Sequence, residues 1–282
     1  MRHVFLAMAI LVTALIGASK AEDKKATYGW QKELVSNFNI NQTNFDNWAQ
    51  GGENSFAWQI NINTKFVNNQ KRFNWANTAK FSFGKTRVGQ AAAKKSVDEI
   101  RFESVFGVKL GIELDPYISF MGETQTSTGY KYTDDQKTAI AAFMDPGYFV
   151  EGFGFGLKVS ESFKIRLGGA LKQTVTNKYP VPYSDDPRTE KIEKFKNEVG
   201  IESVSDFSKK LTETTLLTSK LELFSNLKGY KNIDVRWDNL FSTKISRYIN
   251  INMNIKLFYD SDISKKRQIK QALTLGLTYS FL

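Results

Sequence analysis

From Trp30 to Phe281 the chain is built of long segments in which apolar and polar residues alternate one by one. A period of two sends successive side chains to opposite faces of a strand, so these segments demand a sheet with two unlike faces. In the clearest one, Phe56, Trp58, Ile60, Ile62 and Phe66 share a face, and Ser55, Ala57, Gln59, Asn61, Asn63 and Lys65 share the other. Phe73, Trp75, Ala79, Phe81 and Phe83 repeat the pattern against Arg72, Asn74, Thr78, Lys80 and Ser82. Near the end Ile249, Ile251, Met253, Ile255 and Leu257 do so again, followed by Ile269, Leu273, Leu275, Leu277, Tyr279 and Phe281.

The pattern predicts about twelve strands, near 30–40, 54–67, 72–85, 98–110, 116–126, 147–159, 163–175, 201–212, 214–225, 233–245, 248–259 and 268–281. Alternation is poorest in the first and the eighth. Connections are short near Asn69, 112–115, 160–162, Glu213 and 246–247, and longer at 41–53, 86–97, 127–146, 176–200, 226–232 and 260–267. Strict alternation of short and long connections, and an even strand number, are what a membrane barrel with both termini on one side requires. Strands of about 10–14 residues exceed the roughly 5–6 of soluble sheets and match a tilted membrane crossing. A soluble fold would need a second layer over so much apolar surface, and no remaining segment supplies it. The predicted fold is all-β: a single transmembrane antiparallel up-and-down barrel with short periplasmic turns and longer outer loops. Asn77, Asn239 and Glu151 interrupt the lipid-facing sides, Glu151 near the outer end, where a charge costs roughly 0–1 kcal/mol.

The N-terminus has an export pattern: Arg2, an apolar run from Val4 to Ile16, then small residues Ser19 and Ala21. The run is shorter than the roughly 17–25 residues of a spanning helix. Residues 1–21 are therefore expected to be a cleaved signal peptide, leaving a barrel domain at 22–282 with both termini periplasmic. The net charge is +10, and removing Arg2 and Lys20 leaves 37 basic against 29 acidic residues. The basic residues are dispersed over alternating segments, which speaks against nucleic acid as a partner.

The sequence has no Cys, and its one His is His3, inside the leader. Barrel enzymes such as outer-membrane phospholipases, omptin-like proteases and lipid A deacylases depend on histidine, so the expectation is no enzyme, no cofactor and no metal. Acidic pairs at Asp134/Asp135, Asp185/Asp186 and Asp260/Asp262 lack a full calcium-ligand series and are expected to be solvated turns.

The run N-F-D-N-W-A-Q-G-G-E-N at 44–54 resembles a segment of an uncharacterised Gram-negative outer-membrane β-barrel family catalogued only as a domain of unknown function. The stretch from Gly200 through Ser219 and Leu221 to Asp260 is similar to that family's C-terminal half. Thr274, Gly276, Tyr279 and Phe281 are spaced like the signature read by barrel-assembly machinery, although Leu282 follows the aromatic. An exported barrel with this signature is expected in the outer membrane, among lipid and lipopolysaccharide, inserted by that machinery and monomeric; the family that the chain resembles has no activity to carry over. The 44–54 run, with Asn44, Trp48, Gly51, Gly52 and Asn54, is expected to be either a tight turn at the glycines with Trp48 at the outer interface or a folded loop whose Trp48 plugs the mouth or binds a glycan.

Charges on the polar faces are the candidate site: Glu99, Arg101, Glu103, Glu123, Arg166, Lys172, Lys220, Glu222, Asp234, Arg236 and Asp238. They form either mutually paired ions that fill the interior or a charged ring filtering solutes in a narrow channel. Twelve strands lie between barrels filled by side chains and barrels with open pores. The expected function is passive or weakly selective passage of small hydrophilic solutes. The alternatives are a closed barrel serving surface interaction, adhesion or envelope structure and, further off, a hydrolase working without His. In loop 177–200, Asp186 as N-cap, Pro187 at the first position and Gly200 past the end predict a helix with Ile192, Phe195 and Val199 on one face and a Glu190–Lys194 pair.

Overall fold

The computed structural model describes residues 27–47, 49–133, 136–181, 183–186, 188–227 and 233–281. The expected signal peptide, Trp48, the Asp134/Asp135 pair and Pro187 lie outside the described residues.

Twelve strands close into one antiparallel barrel. In chain order they are β1 (Gly29–Thr43), β2 (Ser55–Asn69), β3 (Phe73–Val88), β4 (Lys94–Val108), β5 (Leu114–Thr124), β8 (Gly147–Ser160), β9 (Phe163–Val175), β10 (Phe195–Lys210), β11 (Thr215–Ser225), β12 (Ile233–Lys244), β13 (Ile249–Tyr259) and β14 (Gln268–Ser280). Between β5 and β8 the chain makes a separate hairpin of β6 (Gly129–Thr133) and β7 (Gln136–Ala141). Each barrel strand pairs with its neighbours in sequence, and the barrel closes where β1 meets β14, from Val35 opposite Ser280 to Asn39 opposite Gly276. Strands of 11 to 16 residues are long enough to cross a bilayer at a tilt and project past it. Tight turns join them at one end, for example through Gln70 N donating to Phe73 O (2.9 Å) and Leu211 N to Thr215 O (2.9 Å). Gly29 and Ser280 lie at that same end.

The barrel is inside-out relative to a soluble fold. Val199, Leu273 and Phe153 on the outer face are 75%, 73% and 67% exposed. The buried apolar side chains among the described residues are Tyr117, Ala141, Ala170 and Val204, whereas the buried polar set includes Asn39, Ser82, Glu198, Glu202, Asn250 and Asp260. An apolar outer wall with a polar interior and no free sheet edge is stable only where hydrocarbon replaces water outside.

Two of the three interruptions on the outer face are satisfied sideways. Ser104 Oγ donates to Asn77 Oδ1 (2.8 Å) and accepts from Trp75 Nε1 (3.0 Å). Asn239 Nδ2 donates to Ile255 O (3.5 Å), beside the Trp237 Nε1 to Ser219 Oγ bond (2.9 Å). Glu151, opposite Phe120 on β5 and Leu171 on β9, keeps Oε2 buried with no hydrogen bond among the described residues.

Three expectations are corrected. The 177–200 helix does not form: β10 begins at Phe195, six residues before the predicted strand, and Gly200 lies within it. Phe195 and Val199 stand four apart, a spacing that fits one helix face but also one strand face, and both are exposed on the outer wall. Asp186 accepts from Arg188 N (3.1 Å) in a turn, and Lys194 Nζ donates to Asn177 Oδ1 (3.2 Å) in place of the expected pair with Glu190. The expected plain loop 127–146 contains the β6–β7 hairpin, too short for its alternation to stand out. Asp260 is no solvated turn residue; it is buried and bound by Lys172, while Lys196 binds Asp262.

Candidate functional site: an ion-paired lumen and its outer chamber

Inward parity brings the predicted charges together. Arg101 Nη1 donates to Glu123 on the adjacent strand (3.0 Å), while Nη2 bonds Glu222 on β11. Glu103 accepts from Arg166 Nη2 (2.6 Å) and from Lys220. Arg236 donates to both oxygens of Glu123, Nη2 reaching Oε1 at 2.5 Å. Lys256 meets Glu99 at 2.7 Å and Asp238 at 3.2 Å, and Lys80 lies 3.6 Å and 3.5 Å from the same two carboxylates. Nearer the outer mouth, Lys172 sits among Asp234 (2.6 Å), Asp260 (2.9 Å) and Glu198 (3.8 Å).

These contacts run across the lumen. Going round the wall, β4 and β11 are five positions apart, as are β5 and β12, β3 and β12, and β4 and β13. Arg101–Glu222, Arg236–Glu123, Lys80–Asp238 and Lys256–Glu99 therefore tie nearly opposite walls. All eleven candidate charges enter this network. Lys80, Lys256, Glu198 and Asp260 belong to it as well, and Tyr117 and Glu202 form a hydrogen-bonded pair beside it; the inward parity noted for Lys80 was its signal, and Lys256 shares that parity. Removing one member of a buried pair leaves an uncompensated charge, at about 3–5 kcal/mol.

On the outer side of the ion pairs is a chamber of about 110 Å³, walled by Met121, Tyr148, Val150, Val204, Phe224 and Phe258 and reaching up to Asp260. Its lining holds the carboxylates of Glu103, Glu202, Glu222, Asp234 and Asp260 but only the cations of Arg166, Lys172 and Arg236. The chain as a whole is basic, yet this chamber has an excess of carboxylates.

The other predicted motifs are structural. In the 44–54 loop, Phe45 N donates to Asn54 Oδ1 (2.6 Å), Gly51 and Gly52 have φ of 78° and 143°, and a Cβ on Gly52 would lie 2.6 Å from the Phe45 ring. The turn falls at Ala49–Gln50, just before the two glycines, which carry the left-handed backbone that follows it; Asn44 is exposed, and Phe45, not singled out in the sequence, is the packing partner of Gly52. At the closing seam a Cβ on Gly276 would lie 2.0 Å from Asn39 Oδ1, and Tyr279 and Phe281 meet edge-on at 4.7 Å on the outer face. Thr278 Oγ1 bonds Asn37 and Asn250, and Thr274 stands opposite Asn252. Above the barrel, Asp145 accepts from the backbone amides of Asn177 (2.9 Å), Lys178 (2.7 Å) and Tyr179 (3.3 Å), tying the segment after the hairpin to the 176–194 loop.

Residues 40–130 match the family described as "Protein of unknown function (DUF3078)". The 44–54 motif lies inside that match, and the second stretch of resemblance, 200–260, lies beyond it. No curated protein matches the chain in sequence. Among solved structures the chain is similar to the translocator domain of autotransporter NalP from Neisseria meningitidis (12% identity, TM-score 0.41, covering 98% of this chain and 95% of that one). It is also similar to the COG4313 outer membrane channel from Pseudomonas putida F1 (10% identity, TM-score 0.40, 93% and 98%). A third is the CymD monoaromatic hydrocarbon channel (8% identity, TM-score 0.34, 90% and 88%). The barrel itself rests on the strand pairing described above.

Proposed function

We propose that this is an outer-membrane barrel giving restricted passage to small hydrophilic solutes, closed at rest by the ion pairs that span its lumen. The observation that carries the reading is the pair of bonds from β4 to β11, Arg101 to Glu222 and Lys220 to Glu103, which place opposite walls within one side chain's reach of each other. Paired charges in a wet interior can exchange partners, so they act as a filter and a seal at once. The outer wall would be bathed by lipid and lipopolysaccharide, and barrel-assembly machinery would read the Tyr279/Phe281 end of a monomer.

Planar-bilayer recording tests this. The wild type should give small or rare conductance steps, and R101A/E222A should raise the step size several-fold. Absence of current from both proteins, each with intact heat-modifiable mobility, overturns passage. A second reading is a closed barrel whose outer loops bind a partner. The Asp145 clamp favours it, because it makes those loops an ordered roof. Deleting 180–192 should then remove the phenotype without loss of the barrel.

A further inference from the structure

We infer that the outer chamber is a binding site for a small aliphatic amine, held through its ammonium by Glu202. The inference uses only the closed barrel and does not depend on passage of solute.

Glu202 is 7% exposed and projects from β10 into the chamber. Its Oε1 accepts from the Tyr117 hydroxyl at 2.9 Å. Among the described residues its Oε2 has no hydrogen bond and no Lys or Arg nitrogen comes within 4.0 Å of the carboxylate; Arg166 acts on it from beyond that distance while bound to Glu103. The neighbouring lumen carboxylates Glu99, Glu103, Glu123 and Glu222 each hold a cation. A carboxylate buried without a close counter-ion is costly unless it takes up a proton or meets a cation. The niche is also shaped for it: a Cβ on Gly152 would lie 2.1 Å from Glu202 Oε1 and 2.6 Å from Ser119 Oγ, so the bare backbone at Gly152 makes room for the carboxylate.

The rest of the chamber selects the ligand's class. Arg166, Lys172 and Arg236 are engaged by Glu103, by Asp234 and Asp260, and by Glu123, so the lining offers an anion no uncommitted cation. Val204, Val150 and Met121 supply apolar wall. A chamber of about 110 Å³ is well above the roughly 10–15 Å³ that a single water needs, which suits a short alkyl chain with one ammonium. The faces of Phe224 and Phe258 are already covered by Lys172 (5.6 Å) and Arg236 (5.6 Å), so recognition falls to the carboxylate and the aliphatic wall.

The test is ligand-observed NMR on the detergent-solubilised barrel with n-butylammonium, 1-butanol and butyrate as probes. The expected order is n-butylammonium at least tenfold tighter than 1-butanol, with butyrate unbound. E202Q should bring the amine down to the level of the alcohol, and M121W, which fills the chamber, should abolish both; partition into micelles is common to every variant. Equal binding of amine and alcohol, no amine binding by the wild type, or amine binding unchanged in E202Q overturns the proposal. If E202Q fails to give the folded, heat-modifiable form, M121W decides: amine binding retained there also overturns it.

Discussion

Arg101 on β4 and Glu222 on β11 are hydrogen-bonded across the lumen although 121 residues separate them in sequence. The same guanidinium also holds Glu123 on the adjacent strand, so it joins a local rung of the sheet to the opposite wall. Both side chains are largely buried, at 12% and 19% exposure.

That bond sets the first prediction. R101A strands Glu222 and Glu123 with fewer cations and should lower barrel stability by about 3–5 kcal/mol, the cost of breaking a buried pair. R101A/E222A removes both charges and should recover part of that loss. Urea unfolding in detergent, followed by heat-modifiable mobility, measures both; a double variant weaker than the sum of the two single ones would refute the pairing.

The closing seam sets the second. G276V places a side chain where Asn39 Oδ1 already lies, 2.0 Å from the Cβ position. Closure of β1 on β14 should fail or slow, seen as loss of the heat-modifiable band during refolding. T274V, opposite Asn252 on the same strand, should refold nearly as the wild type does.

The loop clamp sets the third. Asp145 is 4% exposed and takes three backbone amides from 177–179. D145A leaves those donors without their acceptor, at about 1–3 kcal/mol for each that stays buried. Proteolysis within 178–194 should speed up at least tenfold while the barrel core keeps its urea midpoint.

The turn at 186–193 sets the fourth prediction, a pH dependence. The Arg188 side chain and backbone N–H hold the Asp186 carboxyl below the usual carboxylate range, and the Thr189 hydroxyl together with the Asp186 N–H does the same for Glu193. Depressed folded values mean that the ordering is present above the unfolded value, about 4, and is lost as pH falls through the depressed ones. A spin label at position 190 should stay restrained at pH 7 and gain mobility below about pH 4; equal mobility at both would refute the turn.

Much of the fold was legible because a strand's side-chain period is two whatever surrounds it. Ser55 to Phe66 and Ile249 to Leu257 each show a lipid side and a lumen side in their own letters, and the lengths of the connections ordered the strands. The start of β10 was not legible: the interval from Phe195 to Val199 fits both a helix face and a strand face, and Asp186, Pro187 and Gly200 mimic helix ends. The β6–β7 hairpin was hidden by its brevity. Of the candidate site, inward parity placed eleven charges on the lumen side but did not single out Lys80, Lys256, Glu198 or Asp260, which pair with them, nor Glu202, which in sequence is one more polar residue in a weakly alternating strand.

The amino-acid sequence by itself determined that this chain alternates, that the alternation is long enough to cross a bilayer, and therefore that it closes into a barrel with its charges inside. Only the tertiary structure decided which charge meets which, and that Glu202 in the lumen stays outside salt-bridge distance of a cation. The physical reason is that the pleat is set between neighbouring residues, whereas a contact across the lumen depends on the accumulated stagger of strands five positions apart, a quantity no local stretch of sequence contains.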